Sequence, residues 1–256
     1  MHRPRKRFGQ NFLVDASTIE QLVRAIHPKS SDKFLEIGPG LGALTLPLLE
    51  KIDALEVIEI DHDLVKRLED FKNQGFNLNI HQMDVLKFDF SKTDKHRRIV
   101  GNLPYNISTP VIFHLLNSIS YIMDMHFMLQ KEVVDRICAK SGDRNFGRLS
   151  VIVQSKCATT KLFEIAAEKF NPPPKVTSAF ISLTPHPQPL VPKQLDETFE
   201  NVVRHAFSQP RKTLANNLKL LFSTQQIEAL GIDPGIRPQC LKIDELILLA
   251  QSSSPE

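Results

Sequence analysis

The chain has 256 residues, 41% hydrophobic and 24% charged, enough for one good-sized core or for a main domain with a small companion, which excludes disordered, collagen-like and small disulfide-scaffold classes. Lys and Arg number 32 against 29 Asp and Glu, so the formal net charge of +3 neither requires nor forbids a polyanionic partner. No apolar run approaches the roughly 20 residues of a membrane helix, and Met1 leads into Arg3, Arg5, Lys6 and Arg7 without a signal-peptide core, so a soluble cytoplasmic protein is expected.

The first predicted element is a helix over 15–27, opened by Asp15 and the capping-box spacing of Ser17 and Glu20, with Ile19, Leu22, Val23 and Ile26 on one face. Strand-like runs follow at 33–37, 55–60, 78–82, 98–101 and 122–129, and helical patterns at 42–51, 62–73, 108–118 and 131–140 separate most of them. That alternation predicts an α/β fold with a parallel sheet wrapped by helices. Two later strands, 160–166 and 178–184, flank a proline-rich loop and read as an antiparallel addition to the sheet edge. The segment 185–192, PHPQPLVP, holds four prolines and marks a linker. Beyond it Phe199, Val202, Val203 and Phe207, then Leu214, Leu218 and Leu221, then Leu246, Leu248 and Leu249 recur at helical spacings. The expected domains are thus 1–185 and an all-helical 193–256. Cys138, Cys157 and Cys240 are far apart and in no metal-binding spacing, so reduced thiols and no metal site are expected.

The chemistry lies at the strand ends. After the first sheet strand comes Glu36-Ile37-Gly38-Pro39-Gly40-Leu41-Gly42-Ala43, a glycine-rich turn that lets backbone N–H groups approach a ligand at a helix N-terminus. Taken locally, the turn suits NAD as well as S-adenosylmethionine. Glu59 ends the second strand, where a carboxylate accepts from ribose hydroxyls, whereas Asp61 reads better as the N-cap of the next helix. Asp84 follows the third strand, in register to accept from an adenine amino group. The fourth runs into Gly101-Asn102-Leu103-Pro104-Tyr105-Asn106. An adenine amine is a poor nucleophile because its lone pair is delocalised into the ring. Acceptance of its hydrogen bonds by the Asn102 side-chain oxygen and the Pro104 carbonyl makes the nitrogen more tetrahedral and aims it at an electrophilic methyl, without a strong base. Tyr105 offers a stacking face, and Phe170, in the stiff loop Phe170-Asn171-Pro172-Pro173-Pro174-Lys175-Val176, either plugs the core or completes a sandwich around an extruded base.

These residues resemble the ribosomal RNA adenine N6,N6-dimethyltransferases, in particular the bacterial small-subunit branch. The similar segments are KRFGQNFL (6–13), EIGPGLGALT (36–45), VIEID (57–61), GNLPYNIST (101–109), MLQKEVVDR (128–136), FNPPPKVTSAF (170–180) and PRKTLANNL (210–218), in order along nearly the whole chain. The resemblance implies a Rossmann-like S-adenosylmethionine-dependent methyltransferase sheet with an antiparallel edge hairpin, plus a small all-helical C-terminal RNA-binding domain. It implies transfer of two methyl groups to each of two adjacent adenosines in the 3′-terminal hairpin of 16S rRNA, in the immature small ribosomal subunit. It places Asn11, Leu13, Gly38, Glu59, Asp84 and Asn102 on the cofactor, with Asn102 also serving the target amine; with the motif read above, the candidate catalytic set is Asn102, Leu103, Pro104, Tyr105 and Phe170. A large-subunit dimethylase of the macrolide-resistance type is the nearest rival, and RKTLANNL favours the small-subunit enzyme. An NAD-dependent dehydrogenase is the rival from another class, and it leaves Asn102 to Tyr105 without purpose. Neither a metal nor a membrane partner is expected, and a monomer is.

The small net charge conceals separation. Residues 3–7 carry +4, 136–148 carry +3 and 204–219 carry +4, whereas 50–70 carry −5 around the expected cofactor edge. Candidate RNA contacts are Arg5, Lys6, Arg7, Arg136, Arg144, Arg148, Lys175, Arg204, Arg211 and Lys212.

Overall fold

The structure, a computed structural model, describes residues 10–92 and 96–253. In chain order its elements are β1 (Phe12–Leu13), α1 (Ala16–Ile26), β2 (Phe34–Ile37), α2 (Thr45–Leu49), β3 (Leu55–Glu59), α3 (His62–Asn73), β4 (Leu78–Gln82), β5 (Arg97–Asn102), α4 (Ser108–Leu116) and β6 (Ile122–Gln130). There follow α5 (Lys131–Ile137), α6 (Arg148–Lys156), β7 (Cys157–Ile165), β8 (Phe170–Asn171), β9 (Ser178–Pro185), α7 (Asp196–Ala206), α8 (Leu214–Leu218), α9 (Thr224–Ala229) and α10 (Ile243–Ser252).

Seven strands form one sheet in the order β4-β3-β2-β5-β6-β9-β7. Strands β2 to β6 run parallel, and β9 joins β6 antiparallel with Gln130 opposite Ser178 and Met125 opposite Leu183. The chain reverses its winding between β2 and β5, and at that switch point the carboxyl ends of the strands open a crevice. The match of β5 to β2 is so close that a Cβ on Gly101 would lie 2.5 Å from the Ile37 carbonyl oxygen, which reserves the position for glycine. Leu22 and Ile26 of α1, Leu48 of α2 and Leu68 and Phe71 of α3 pack on Phe34, Leu55 and Val57, forming a core on one sheet face. Helix α1 is capped by Asp15, whose side chain accepts from the Thr18 N–H at 2.9 Å. The expected pairing of Ser17 with Glu20 is not made: Ser17 donates to Asp15 at 2.6 Å and Glu20 meets Arg24 at 3.5 Å.

Short antiparallel pairing of β1 with β8, a feature without periodicity, sets Phe12 opposite Asn171 and Leu13 opposite Phe170. Another unforeseen element is α6, and it alters the organisation. The chain divides into one compact unit of residues 1–134 with 160–185 and another of 135–159 with 186–256. The second unit resumes at His186, in the proline segment, and a single linear boundary there omits 135–159. Those residues join the helical tail through the Gly142 N–H to the Gln239 carbonyl (2.7 Å), Lys156 to Asp196 (3.3 Å) and Phe146 against Phe207, with ring centres 6.1 Å apart. Within that unit α7 buries Phe199, Val202, Val203 and Ala206, and α10 buries Leu246, Leu249 and Ala250. Asn217 fastens the turn before α8, accepting from Ser208 Oγ and the Gln209 N–H at 3.0 and 2.9 Å. No helix among the described residues is long and apolar enough to cross a membrane.

Candidate active site

A cavity of about 240 Å³ opens at the carboxyl ends of β2 to β5. Its floor is the glycine-rich turn. Gly38 donates its N–H to the Ile58 carbonyl at 2.9 Å, and Gly40, at φ +59°, turns its N–H toward Glu59 Oε2 at 3.3 Å. A Cβ at Gly40 would sit 3.1 Å from the Phe12 ring, so both the turn and the aromatic above it depend on glycine there.

Two carboxyls face this turn. Glu36, 2% exposed, accepts from Thr45 Oγ1 at 2.6 Å, and burial, with Glu59 nearby, pushes its pKa up to about 8. A group so placed holds its proton at neutral pH. Glu59 is also raised by burial, against the pull of three backbone N–H groups: Ile60 and Asp61 on Oε1, each at 2.9 Å, and Gly40 on Oε2. A carboxylate has about four acceptor positions. The arrangement therefore leaves about one, on Oε2, and differs from the expectation that both ribose hydroxyls rest on this side chain. Asp61 caps α3, accepting from the Asp63 N–H at 3.1 Å, as its position predicts. Asp84 combines two readings, because Oδ1 holds the Leu86 N–H at 3.0 Å and the residue lines the cavity.

Across the cavity lies Asn102, whose Nδ2 donates to the Asn11 carbonyl at 2.9 Å. A backbone carbonyl can only accept, so the bond fixes which end of the amide is which and leaves Oδ1 as the acceptor directed elsewhere. Pro104 O already accepts from the Ile107 N–H at 3.1 Å, with a second lone pair remaining. The Tyr105 hydroxyl lies 2.7 Å from Ser178 Oγ on β9, and burial pushes the phenol pKa up. Leu103 is buried, its N–H on the Met128 carbonyl at 3.2 Å.

Asn11, Leu13, Gly38, Glu59, Asp84, Asn102, Leu103, Pro104 and Tyr105 are thus brought to one cavity. Phe170 is not. Its strand pairs with Leu13 and its ring, 3% exposed, packs into the core, so it plugs the core rather than presenting a face beside Tyr105. Arg136, Arg144, Arg148, Arg204, Arg211 and Lys212, all in the second unit, are exposed, and so is Lys175 in the first. Arg5, Lys6 and Arg7 lie outside the described residues. Sequence reasoning assigned no role to Gln10, Phe12 or Glu36, which also line the cavity, or to Ser178 behind Tyr105. Gln10 and Phe12 stood in a quoted motif, and Glu36 could have been noticed as an acid in a strand otherwise wholly apolar from Phe34 to Ile37.

A family model described as ribosomal RNA adenine dimethylase matches residues 1–252. A ribosomal RNA small subunit methyltransferase A from Pseudomonas savastanoi pv. phaseolicola is 50% identical over 99% of this chain and 96% of its own length. Among solved structures, a dimethyladenosine transferase from Plasmodium falciparum is 28% identical with a TM-score of 0.81, covering 93% of this chain and 95% of that one. The 23S rRNA methyltransferase ErmE superposes with a TM-score of 0.76 over 94% of this chain and 98% of its own, and at 24% identity it shows the shared fold alone.

Proposed function

We propose, from the premise that the chain belongs to the ribosomal RNA adenine dimethylase family, that it methylates adenosines of small-subunit ribosomal RNA at N6 to give N6,N6-dimethyladenosine. The target is two adjacent adenosines in the 3′-terminal hairpin of 16S rRNA, met in the immature subunit, and the methyl donor is S-adenosylmethionine. The observation that carries this reading is the pinned amide of Asn102, whose free oxygen belongs to the same cavity as the glycine turn and the strand-end carboxyls.

The donor set fits such a cofactor. Glu59 Oε2 retains room for a ribose hydroxyl, Asp84 for an adenine amino group, and the apolar side chains of Ile60 and Leu86, 48% and 37% exposed at the cavity, suit the two faces of a purine. When bound, S-adenosylmethionine supplies an electrophilic methyl group on a sulfonium. Asn102 Oδ1 and the second lone pair of Pro104 O accept the N–H bonds of the target amine and orient its lone pair toward that methyl. Tyr105, its hydroxyl held by Ser178, gives the base a stacking face. Leu103 and Met128, both buried, supply apolar lining to the cavity. Positioning of this kind can supply about 7–11 kcal/mol of barrier reduction. Hydride transfer to a nicotinamide has no use for the pinned amide, and the dehydrogenase reading finds no support here.

Immature small subunits lacking the modification, incubated with the protein and S-adenosylmethionine, are expected to gain N6,N6-dimethyladenosine by nucleoside mass spectrometry. Unmodified adenosine alone, with the cofactor bound, would overturn the proposal.

A further inference from the structure

We propose that the hydrogen bond from Gln10 to Asp61 is a latch that positions the reacting amide of Asn102. The inference rests on the methyltransferase reading above and adds a residue to it. Gln10 Nε2 donates to Asp61 Oδ2 at 3.1 Å, and Asp61, fully buried, is a rigid acceptor. Its Oδ1 is committed to the N-terminus of α3 through the Asp63 N–H (3.1 Å), and its own N–H is committed to Glu59 Oε1 (2.9 Å). With Oδ1 on the helix cap, Oδ2 is an acceptor held in a fixed direction.

Beyond Gln10 the chain crosses the cavity. The next residue, Asn11, offers its carbonyl to Asn102 Nδ2, and the two after it, Phe12 and Leu13, are bridged to Asn171 and Phe170. The β1–β8 bridge fixes the strap on one side of Asn11, and the latch fixes it on the other. Asn11 O is therefore located between two anchors on different elements, and its location decides whether the Asn102 oxygen or the Asn102 nitrogen faces the target amine. An amide turned the wrong way presents a donor to a donor. Gln10 acts through Asn11 and Asn102, so it is a positioning residue, and its removal should lower kcat even when cofactor saturates the site.

The test compares the wild type with Gln10→Glu, Gln10→Ala and the double variant Gln10→Glu/Asp61→Asn, on immature small subunits with saturating S-adenosylmethionine. Gln10→Glu opposes two carboxylates and cannot donate, and it is expected to lower kcat roughly tenfold or more. Gln10→Ala removes the bond without adding charge, is expected to lower kcat in the same direction, and serves if Gln10→Glu fails to fold, as judged by its thermal transition. In the double variant Asn at 61 keeps an oxygen for the helix cap and donates through its nitrogen to Glu at 10, which restores the bond with its direction reversed; kcat is expected to recover most of the loss. A purely structural role predicts a lowered melting temperature without that recovery. The proposal is overturned if kcat of Gln10→Ala stays within twofold of wild type, if only the KM for S-adenosylmethionine changes, or if the double variant is no better than Gln10→Glu. An inactive wild type on the same particles would instead count against the methyltransferase reading.

Discussion

The two ends of β5 contrast sharply. At its start Arg97 and Arg98 are buried and paired with side chains of opposite charge: Arg97 meets Glu56 at 2.7 Å through its terminal nitrogen, its Nε having no partner among the described residues, while Arg98 meets Asp32 at 2.7 Å and Asp124 at 2.9 Å and lies over the Phe34 ring, 4.8 Å from its centre. Arg98 also donates to the Ile26 carbonyl at 2.7 Å, closing the C-terminal turn of α1. At the other end Asn102 shares a cavity with Glu36 and Glu59, whose bonds come from a threonine hydroxyl and backbone N–H groups. One end pairs its arginines with carboxylates within the fold. The other keeps acceptor positions, on Glu59 Oε2 and Asn102 Oδ1, that the described residues do not fill. The same strand therefore separates stability from chemistry over six residues.

Substitutions can break that separation. Arg98→Met removes one member of a buried ion network and strands two carboxylates, so a loss of about 3–5 kcal/mol is expected by urea unfolding, with the residual folded protein still active. Asn102→Ala is expected to do the opposite. It should cost at least about a hundredfold in transfer, equivalent to about 2.7 kcal/mol of barrier, with a thermal transition near wild type; comparable activity would remove Asn102 from the mechanism. The smallest effect concerns pH. Because the Glu36 pKa rises to about 8 from an ordinary 4.5, the folded state binds a proton that the unfolded state has lost, and stability contributed by the neutral carboxyl falls as pH climbs through that window. Glu36→Gln, neutral at every pH, should flatten this decline in melting temperature between about pH 5 and 8. An unchanged slope would show that Glu36 is ionised in the fold.

Much of this was legible locally. The parallel strands, the glycine turn, the Asp61 cap and the GNLPY segment announce themselves within a few residues, because periodicity and turn chemistry are short-range. What escaped depends on partners far along the chain. Nothing near Phe170 says that its ring goes inward, since the burial follows from pairing with Leu13. Nothing near Arg148 says that α6 sides with residues beyond the proline segment. Glu59 was correctly placed at a strand end, yet its Oε1 is taken by the two residues that follow it, a competition between backbone and ligand that strand position alone does not reveal. The lysine at 169 is a like case: its ammonium bonds Asp15 at 2.8 Å and holds that carboxyl well below the usual range, and neither residue advertises the other.

The β1–β8 bridge has a consequence for biosynthesis. It joins residues 12 and 13 to residues 170 and 171, so during synthesis Phe12 and Leu13 wait for partners that are made much later along the chain. Until then the glycine turn and its neighbouring strands can pair, but the segment that lines the cavity and bonds Asn102 through the Asn11 carbonyl has no β8 to pair with. A nascent chain stalled before Phe170 can therefore pair β2 to β6, but it lacks β9, and with it the neighbour of β7, as well as the partner of β1.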